Sequence, residues 1–332
     1  MLRERGLIKF VHASKMLFDR DGLEMASHEQ VSRNVHRPLF PNGVDLVDMT
    51  CGLGSDLSAL SEGNVAKGYE LNSERAELAR YNISVMGSDA EVIVGDSLES
   101  NWKADFAFAD PSRRDARGRS LDPGRFSPAL GPLIEKLSRL ALGVIKLSPM
   151  LPDPFLDQLS HDRVFVSHQG ECKEVLVIVG GCRESVPRGV NSVTTEDGMW
   201  IQGGLGLLAS VPDPHDYIFE SDPAVIRSGG LAGYGIPGLG DSNGYLTSDS
   251  LSSKIRKAYQ TLWFGKGAPE VVYREAKNLG VSVVAIKSRG VELQNEKLKR
   301  TFSGLEGPPA VALFYRVGQS VRAALARQAR DS

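Results

Sequence analysis

Four carboxylates in this chain stand where short apolar runs end. Val44-Asp45-Leu46-Val47 runs into Asp48, and Thr50-Cys51-Gly52-Leu53-Gly54 follows with two glycines spaced one apart. Glu70 closes the run 65–70, Asp96 comes just after 91–94, and Asp110 follows 105–109. A glycine pair after a strand lets backbone approach a nucleoside closely, because no Cβ stands in the way. A carboxylate before the glycines suits a ligand with an ammonium, held directly or through water. One at the end of the next strand can accept both ribose hydroxyls. A third, at Asp96, can accept from an adenine amino group.

The fourth carboxylate opens Asp110-Pro111-Ser112-Arg113-Arg114. A carboxylate and a backbone carbonyl fixed by proline are both acceptors. They can hold a planar N–H and leave the lone pair aimed at an electrophile, and Arg113 can stack on a base or grip a phosphate. The stretch Gly52-Leu53-Gly54-Ser55-Asp56-Leu57 lacks the third glycine of a dinucleotide fingerprint. The combination is therefore read as an S-adenosylmethionine site with a catalytic loop beside it. The cofactor residues are Ser27, Asp48, Thr50, Cys51, Gly52, Gly54, Glu70, Leu71, Asp96, Ser97 and Asp110. The catalytic set is Asp110, Pro111, Ser112 and Arg113, and no metal is called for. Cys51 reads as a small packing residue, not a nucleophile. Lys146, after Val144-Ile145, either faces the substrate cleft or pairs with a neighbouring carboxylate. Arg117, Arg119 and Arg125 either grip a nucleic-acid backbone or are surface charge.

The elements that must position these groups follow from patterning. Ser27-His28-Glu29-Gln30 has capping-box spacing, which predicts a helix from about His28 that stops before Pro41. Strands are predicted at 44–48, 65–70, 91–94, 105–109 and 142–147, with helices between them, clearest at 74–86 and 128–142. Such alternation implies a parallel sheet with crossover helices. The runs 164–167 and 174–179 are joined too tightly for a crossover, so they must pair antiparallel. Residues 192–201 read as a hairpin. Residues 228–244 are glycine-rich and read as an ordered loop system or a linker. Beyond them come a strand near 271–273, a helix at 274–279, a strand at 281–287, a helix near 293–303 and a strand at 310–315.

With 332 residues the chain is long enough for more than one core. Its three cysteines make no disulfide framework, and the N-terminus has no continuous apolar core, so a reducing cytoplasm is expected. The near-neutral net charge hides an asymmetry. Residues 1–253 hold 24 Lys/Arg and 35 Asp/Glu, whereas residues 254–330 hold 15 and 5. A basic tail on an acidic body suggests a polyanionic partner, and RNA is the expected one, with no membrane.

These motifs resemble the class I S-adenosylmethionine-dependent methyltransferases. More narrowly, the chain resembles bacterial members with a THUMP-like C-terminal domain. That resemblance rests on Leu23-Glu24-Met25-Ala26-Ser27, Asp48 to Gly54, Asp110 to Arg114, Asp222-Pro223-Ala224-Val225-Ile226-Arg227, Lys287-Ser288-Arg289-Gly290-Val291 and Tyr315-Arg316-Val317-Gly318. The entry 22–29, followed by Asp48 to Gly54, is also similar to trimethylguanosine synthase, which methylates an exocyclic guanine nitrogen in RNA. The resemblance implies an α/β fold. A Rossmann-like sheet of parallel strands ends in an antiparallel hairpin, N-terminal helices precede it, and a smaller α+β THUMP-like module follows. It implies divisions at 1–42, 43–182, 183–253 and 254–332. It implies that Ala26-Ser27-His28 closes over the ligand. It also implies RNA binding, for which Arg113, Arg114, Lys254, Arg256, Lys257, Lys287 and Arg289 are the candidates. Ser112 and Arg113 stand where amino-methylating relatives carry a second proline and an aromatic, so the usual base-stacking platform is missing.

The expectation is a methyltransferase acting on a base nitrogen in tRNA or rRNA. Its rivals are a methyltransferase for a small molecule or protein, and an RNA-binding protein with a non-catalytic cofactor site.

Overall fold

The computed structural model describes residues 2–112, 114–115, 118–119, 123–181, 186–205, 209–241 and 244–329. Two compact units are present, Met1–Trp200 and Ile201–Ser332.

In the first unit the helix Arg20–Met25 (α1) is capped by Asp19, whose carboxylate accepts from the Gly22 N–H. A helical stretch then runs from Glu29 through a π-type turn at Ser32–His36 to Leu39. The expected helix is therefore present, but Ser27 does not cap it. The N-cap position is His28, without a side-chain hydrogen bond, and Ser27 is used elsewhere.

Strands Asp45–Asp48 (β1), Val65–Glu70 (β2), Glu91–Val94 (β3), Phe106–Ala109 (β4) and Leu142–Leu147 (β5) follow, then Arg163–His168 (β6), Glu171–Val179 (β7), Val190–Thr194 (β8) and Trp200–Gln202 (β9). Among the described residues they form one nine-stranded sheet in the order β9-β8-β6-β7-β5-β4-β1-β2-β3. β1 to β5 pair in parallel, and β7 runs antiparallel to both β5 and β6, as the short join requires. Helices Ser55–Leu60 (α2), Ser73–Val85 (α3) and Leu130–Leu137 (α4) are the crossovers. In α4, Leu130, Leu133 and Leu137 are buried, the helical spacing that seats one face on the sheet. Val31, Val35 and Leu39 of the helical stretch pack with Leu46, Phe108, Val144 and Leu176 in one core. That core carries the stretch, and His36 with it, into the interior.

The second unit is one eight-stranded sheet among its described residues. Its strands are Ser210–Val211 (β10), Tyr217–Glu220 (β11), Gly238–Leu239 (β12), Tyr245–Ser248 (β13), Lys257–Lys266 (β14), Ser282–Arg289 (β15), Pro309–Val317 (β16) and Ser320–Gln328 (β17). The order is β10-β12-β13-β11-β14-β17-β16-β15. The division therefore falls at 200/201, not at 182/183 and 253/254, because β11 pairs directly with β14 across the expected boundary. Residues 271–273 are helical, not a strand: Pro269 starts the helix Pro269–Asn278 (α5), and Val272 and Ala276 share its buried face. The glycine-rich stretch holds the short turn Leu231–Tyr234 and β12. No helix among the described residues is long and apolar enough to cross a membrane.

Gly68 in the middle of β2 is where sheet and glycine loop touch. A Cβ there would lie 2.7 Å from the Cβ of Cys51 and 2.5 Å from Leu57 Cδ2. Gly68→Ala should therefore push the loop off the sheet and cost about 1–3 kcal/mol, as overpacking does. Urea denaturation checks this, and an unchanged midpoint would mean that the loop yields freely.

Candidate functional site: a cavity at the strand ends

A cavity of about 550 Å³ opens at the C-terminal ends of β1 to β5. This is the side of an open α/β sheet where ligands bind. Its wall includes Glu24, Met25 and Ala26 from the N-terminal segment, Thr50, Cys51 and Gly52 from the glycine loop, and Glu70, Leu71, Asp96 and Ser97. Asp110, Pro111, Ser112 and Lys146 complete it on the β4–β5 side.

Gly52 has φ +55°, and a Cβ there would meet nothing nearer than the Thr50 carbonyl at 3.9 Å. The open space beside this backbone is the cavity, so the loop can take a ligand against its peptide plane. Gly54, with φ +88°, does something else. A Cβ on it would strike Ile83 Cγ2 at 2.7 Å, so this glycine serves the packing of α2 against α3 and does not line the cavity.

Asp48 is buried beneath the loop. Its Oδ1 accepts from the Thr50 N–H at 3.0 Å, and Oδ2 has no partner. Burial, then the neighbouring Asp56, push its carboxyl well above the usual carboxylate range. Thr50 passes the constraint on, since its Oγ1 accepts from the Asp110 N–H at 2.6 Å. Glu70 Oε1 accepts from the Asn72 N–H, and Asp96 Oδ1 from the Leu98 N–H. Ser97 donates to the Met49 carbonyl, tying the end of β3 to the loop after β1.

Behind Asp110 lies a chain of buried charges. Lys146 Nζ donates to Asp110 Oδ2 at 2.5 Å and to Ser27 Oγ at 2.7 Å. Ser27 donates to Asp56 Oδ2 at 2.7 Å, and Ser32 donates to Asp56 Oδ1 at 2.6 Å. His36, fully buried, lies between Asp56 at 2.8 Å and Glu174. Burial works against the imidazolium, but Glu174 and Asp56 raise it to about 10. Burial likewise works against the Lys146 ammonium, yet Asp110, Asp56 and Glu174 hold it above its ordinary value. Asp56 is pushed up by burial and held well below its usual range by His36. For Asp110 burial wins over Lys146, and its carboxyl is raised.

No protein-family model matches the chain. Over 317 residues it is 26% identical to uncharacterized S-adenosylmethionine-dependent methyltransferases from two strains of Mycobacterium tuberculosis, covering 93% of this chain and 87% of each relative. Its fold matches the crystal structure of a protein assigned as a methyltransferase in Porphyromonas gingivalis. That match has a TM-score of 0.78 and 22% identity, and covers 99% of this chain and 88% of the other. The chain has the fold of an S-adenosylmethionine-dependent methyltransferase.

Most residues singled out from the sequence meet at this cavity: Thr50, Cys51, Gly52, Glu70, Leu71, Asp96, Ser97, Asp110, Pro111 and Ser112. Asp48, Gly54 and Ser27 stand behind it. Cys51 is buried, and burial pushes its thiol well above the ordinary value, which suits packing and not attack. Arg113 lies outside the described residues, as does the side chain of Arg114. In the second unit Lys254, Arg256 and Lys257 are exposed. Lys287 and Arg289 are not free cations, because both pair with Glu220, at 2.5 and 3.2 Å. Lys146 does both things proposed for it, lining the cavity and pairing with a carboxylate.

The sequence reading missed Asp56, His36, Ser32, Glu174 and Lys9. Lys9 donates to the carbonyls of Leu23, Glu24 and Ala26, holding the end of α1 at the cavity wall. Burial, with Lys146 and Lys173 nearby, lowers its ammonium to about 8. Only the position of Asp56, two residues past the second glycine, carried a signal.

Removing the imidazolium leaves Glu174, and Asp56 with only its bonds from Ser27 and Ser32, without their shared cation. His36→Gln should cost about 3–5 kcal/mol at pH 6, the typical loss on breaking a buried pair. The raised value of His36 means that its stabilisation is complete below its ordinary 6.5 and fades as pH rises through about 10. The gap between wild type and variant in urea midpoint should narrow over that window, and a gap independent of pH would show that His36 is not a cation.

Proposed function

We propose that the chain is an S-adenosylmethionine-dependent methyltransferase that acts on a base nitrogen of structured RNA, tRNA or rRNA, with its basic C-terminal part docking the RNA. One observation carries this reading: the strand-end carboxylates Glu70, Asp96 and Asp110 converge on a single cavity beside an open glycine backbone. Glu70 and Asp96 take the ribose and adenine, Gly52 and its neighbours lie under the ligand, and buried Asp48 holds the loop. The names of the Mycobacterium relatives agree with this cofactor.

S-adenosylmethionine supplies an electrophilic methyl group when bound. The chain's task is to position the acceptor and keep water away. Asp110 and the Pro111 carbonyl hold the acceptor N–H, and Asp110, its carboxyl raised by burial, takes up the proton that leaves nitrogen. The excess of Lys/Arg over residues 254–330 supports an RNA partner. The pairing of Lys287 and Arg289 with Glu220 favours the rival reading, a small acceptor that needs no docking surface.

Calorimetric titration with S-adenosylhomocysteine should give saturable binding. Glu70→Ala should weaken it by about ten-fold or more, the loss of hydrogen bonds to a charged acceptor. Asp110→Asn should leave it within a few-fold while stopping methyl incorporation into RNA. Absence of binding in the wild type would overturn the cofactor reading, and incorporation into small acceptors alone would overturn the RNA reading. Replacing Lys254, Arg256 and Lys257 together by Ala should lower the salt slope of tRNA binding by about three.

A further inference from the structure

Asp110 and Lys146 leave a matched pair of unused hydrogen-bonding capacities at the cavity wall. Asp110 has two oxygens. Oδ2 accepts from Lys146, and Oδ1 receives no hydrogen bond among the described residues. Lys146 has three protons. One goes to Asp110 and one to Ser27 Oγ, which in turn donates to Asp56 and is therefore fixed as an acceptor. One proton is left over. Both residues line the cavity, their side chains 28% and 13% exposed.

The remaining acceptor and the remaining donor are tethered to each other by the 2.5 Å contact between Nζ and Oδ2. Their spacing is thus set by the protein before any ligand arrives. The backbone of Asp110 is pinned to Thr50 Oγ1, so its carboxylate can turn away only by giving up Lys146, and Lys146 only by giving up both Asp110 and Ser27.

We propose that the Asp110–Lys146 pair reads one edge of the methyl acceptor, an N–H immediately beside a hydrogen-bond acceptor atom, and that Lys146 is the residue that enforces it. Such an edge is an amide-like or amidine-like face of a planar heterocycle: N–H beside C=O, or an amino group beside a ring nitrogen. The N–H donates to Oδ1 of Asp110, and the neighbouring atom accepts from Nζ of Lys146. An acceptor molecule with only one of the two groups leaves a buried charge unanswered, and this kind of mismatch discriminates strongly. The pair thereby fixes the ring in plane without the missing aromatic platform. The inference rests on the methyltransferase reading and narrows its substrate class.

The test is binding, not turnover. The full chain is loaded with S-adenosylhomocysteine, which keeps probes out of the cofactor site, and titrated by saturation-transfer NMR. Guanosine, adenosine and cytidine carry the edge. Purine riboside has ring acceptors without an N–H, and adenosine dimethylated on its amino group has lost its donors. The first three should bind about ten-fold or more tightly than the last two, the difference of one charge-assisted hydrogen bond. All five probes carry a ring acceptor, so Lys146→Met, which takes away its donor, should weaken guanosine, adenosine and cytidine about ten-fold or more, while Asp110→Leu, which takes away the acceptor of the N–H, should erase the preference. Should either variant fail to fold, the double variant Lys146→Met with Asp110→Leu, which removes both buried charges, should lose both the tighter binding and the preference.

Equal binding of all five probes to the wild type would overturn the inference, as would a preference that survives loss of the Asp110 carboxylate or a nucleoside affinity unchanged by Lys146→Met. No nucleoside binding to the loaded protein would also overturn it while leaving the cofactor reading intact. Failure to bind S-adenosylhomocysteine would instead overturn the proposed function itself.

Discussion

Asp56 is the residue on which the other buried charges depend. It sits in the first turn of α2, directly after the glycine loop, and accepts from Ser27, Ser32 and His36. Those donors belong to the N-terminal segment and the helical stretch beneath the sheet, so one carboxylate joins three parts of the first unit. An isolated carboxylate this deep is not tolerable. His36 resolves the problem locally, but an imidazolium beside a single carboxylate would still be poorly solvated. Glu174, from the antiparallel strand β7, supplies its second partner. The hairpin that ends the sheet therefore has a task beyond covering an edge: it brings the counter-charge that lets His36 stay protonated.

The same cluster governs the cavity. Ser27 is oriented because Asp56 takes its proton, and its lone pairs are then turned to Lys146. Lys146 in turn holds one oxygen of Asp110. A side chain on the β4–β5 side of the cavity is thus fixed through three successive hydrogen bonds to a helix whose own start is set by the glycine loop. Gly68 and Cys51 fasten that loop to β2, and Thr50 fastens it to Asp110. The glycine-loop side and the Asp110 side of the cavity share one support, the rigidity on which the proposed methyl transfer would draw.

Much of this was legible in the residues. The parallel strands, the antiparallel hairpin and the four strand-end carboxylates follow from short continuous apolar runs, with turns and acids at their ends, as strands covered on both faces require. The network behind Asp110 was not legible. It joins His36 to Glu174 across 138 positions and Ser27 to Lys146 across 119, and no spacing rule reaches that far. The second unit failed for a different reason. β17 contains Ala323-Ala324-Leu325-Ala326, residues that favour helix, and burial on both faces of a sheet overrides their propensity. Val271-Val272-Tyr273 looks like strand but follows Pro269, which pre-sets the first helical turn. The basic character of the tail was counted correctly, but counting cannot tell an exposed Lys254 from a Lys287 already answered by Glu220.

The electrostatic balance of the buried cluster also has a sign. His36 and Lys146 bring two positive charges, and Asp56, Glu174 and Asp110 bring three carboxyls. The fourth, Asp48, is pushed toward its neutral form by burial and by Asp56. Counted as formal charges, two cations face three carboxylates when Asp110 is ionised, and the signs balance when it is protonated. A cationic ligand entering the cavity favours the ionised state of Asp110, the state able to accept a proton. A neutral ligand of the same shape gives that preference up. Charge on a ligand in the cavity and basicity at Asp110 are thus linked, without any movement of the backbone. Burial, which raises the carboxyl of Asp110, strengthens that link by lowering the dielectric around it.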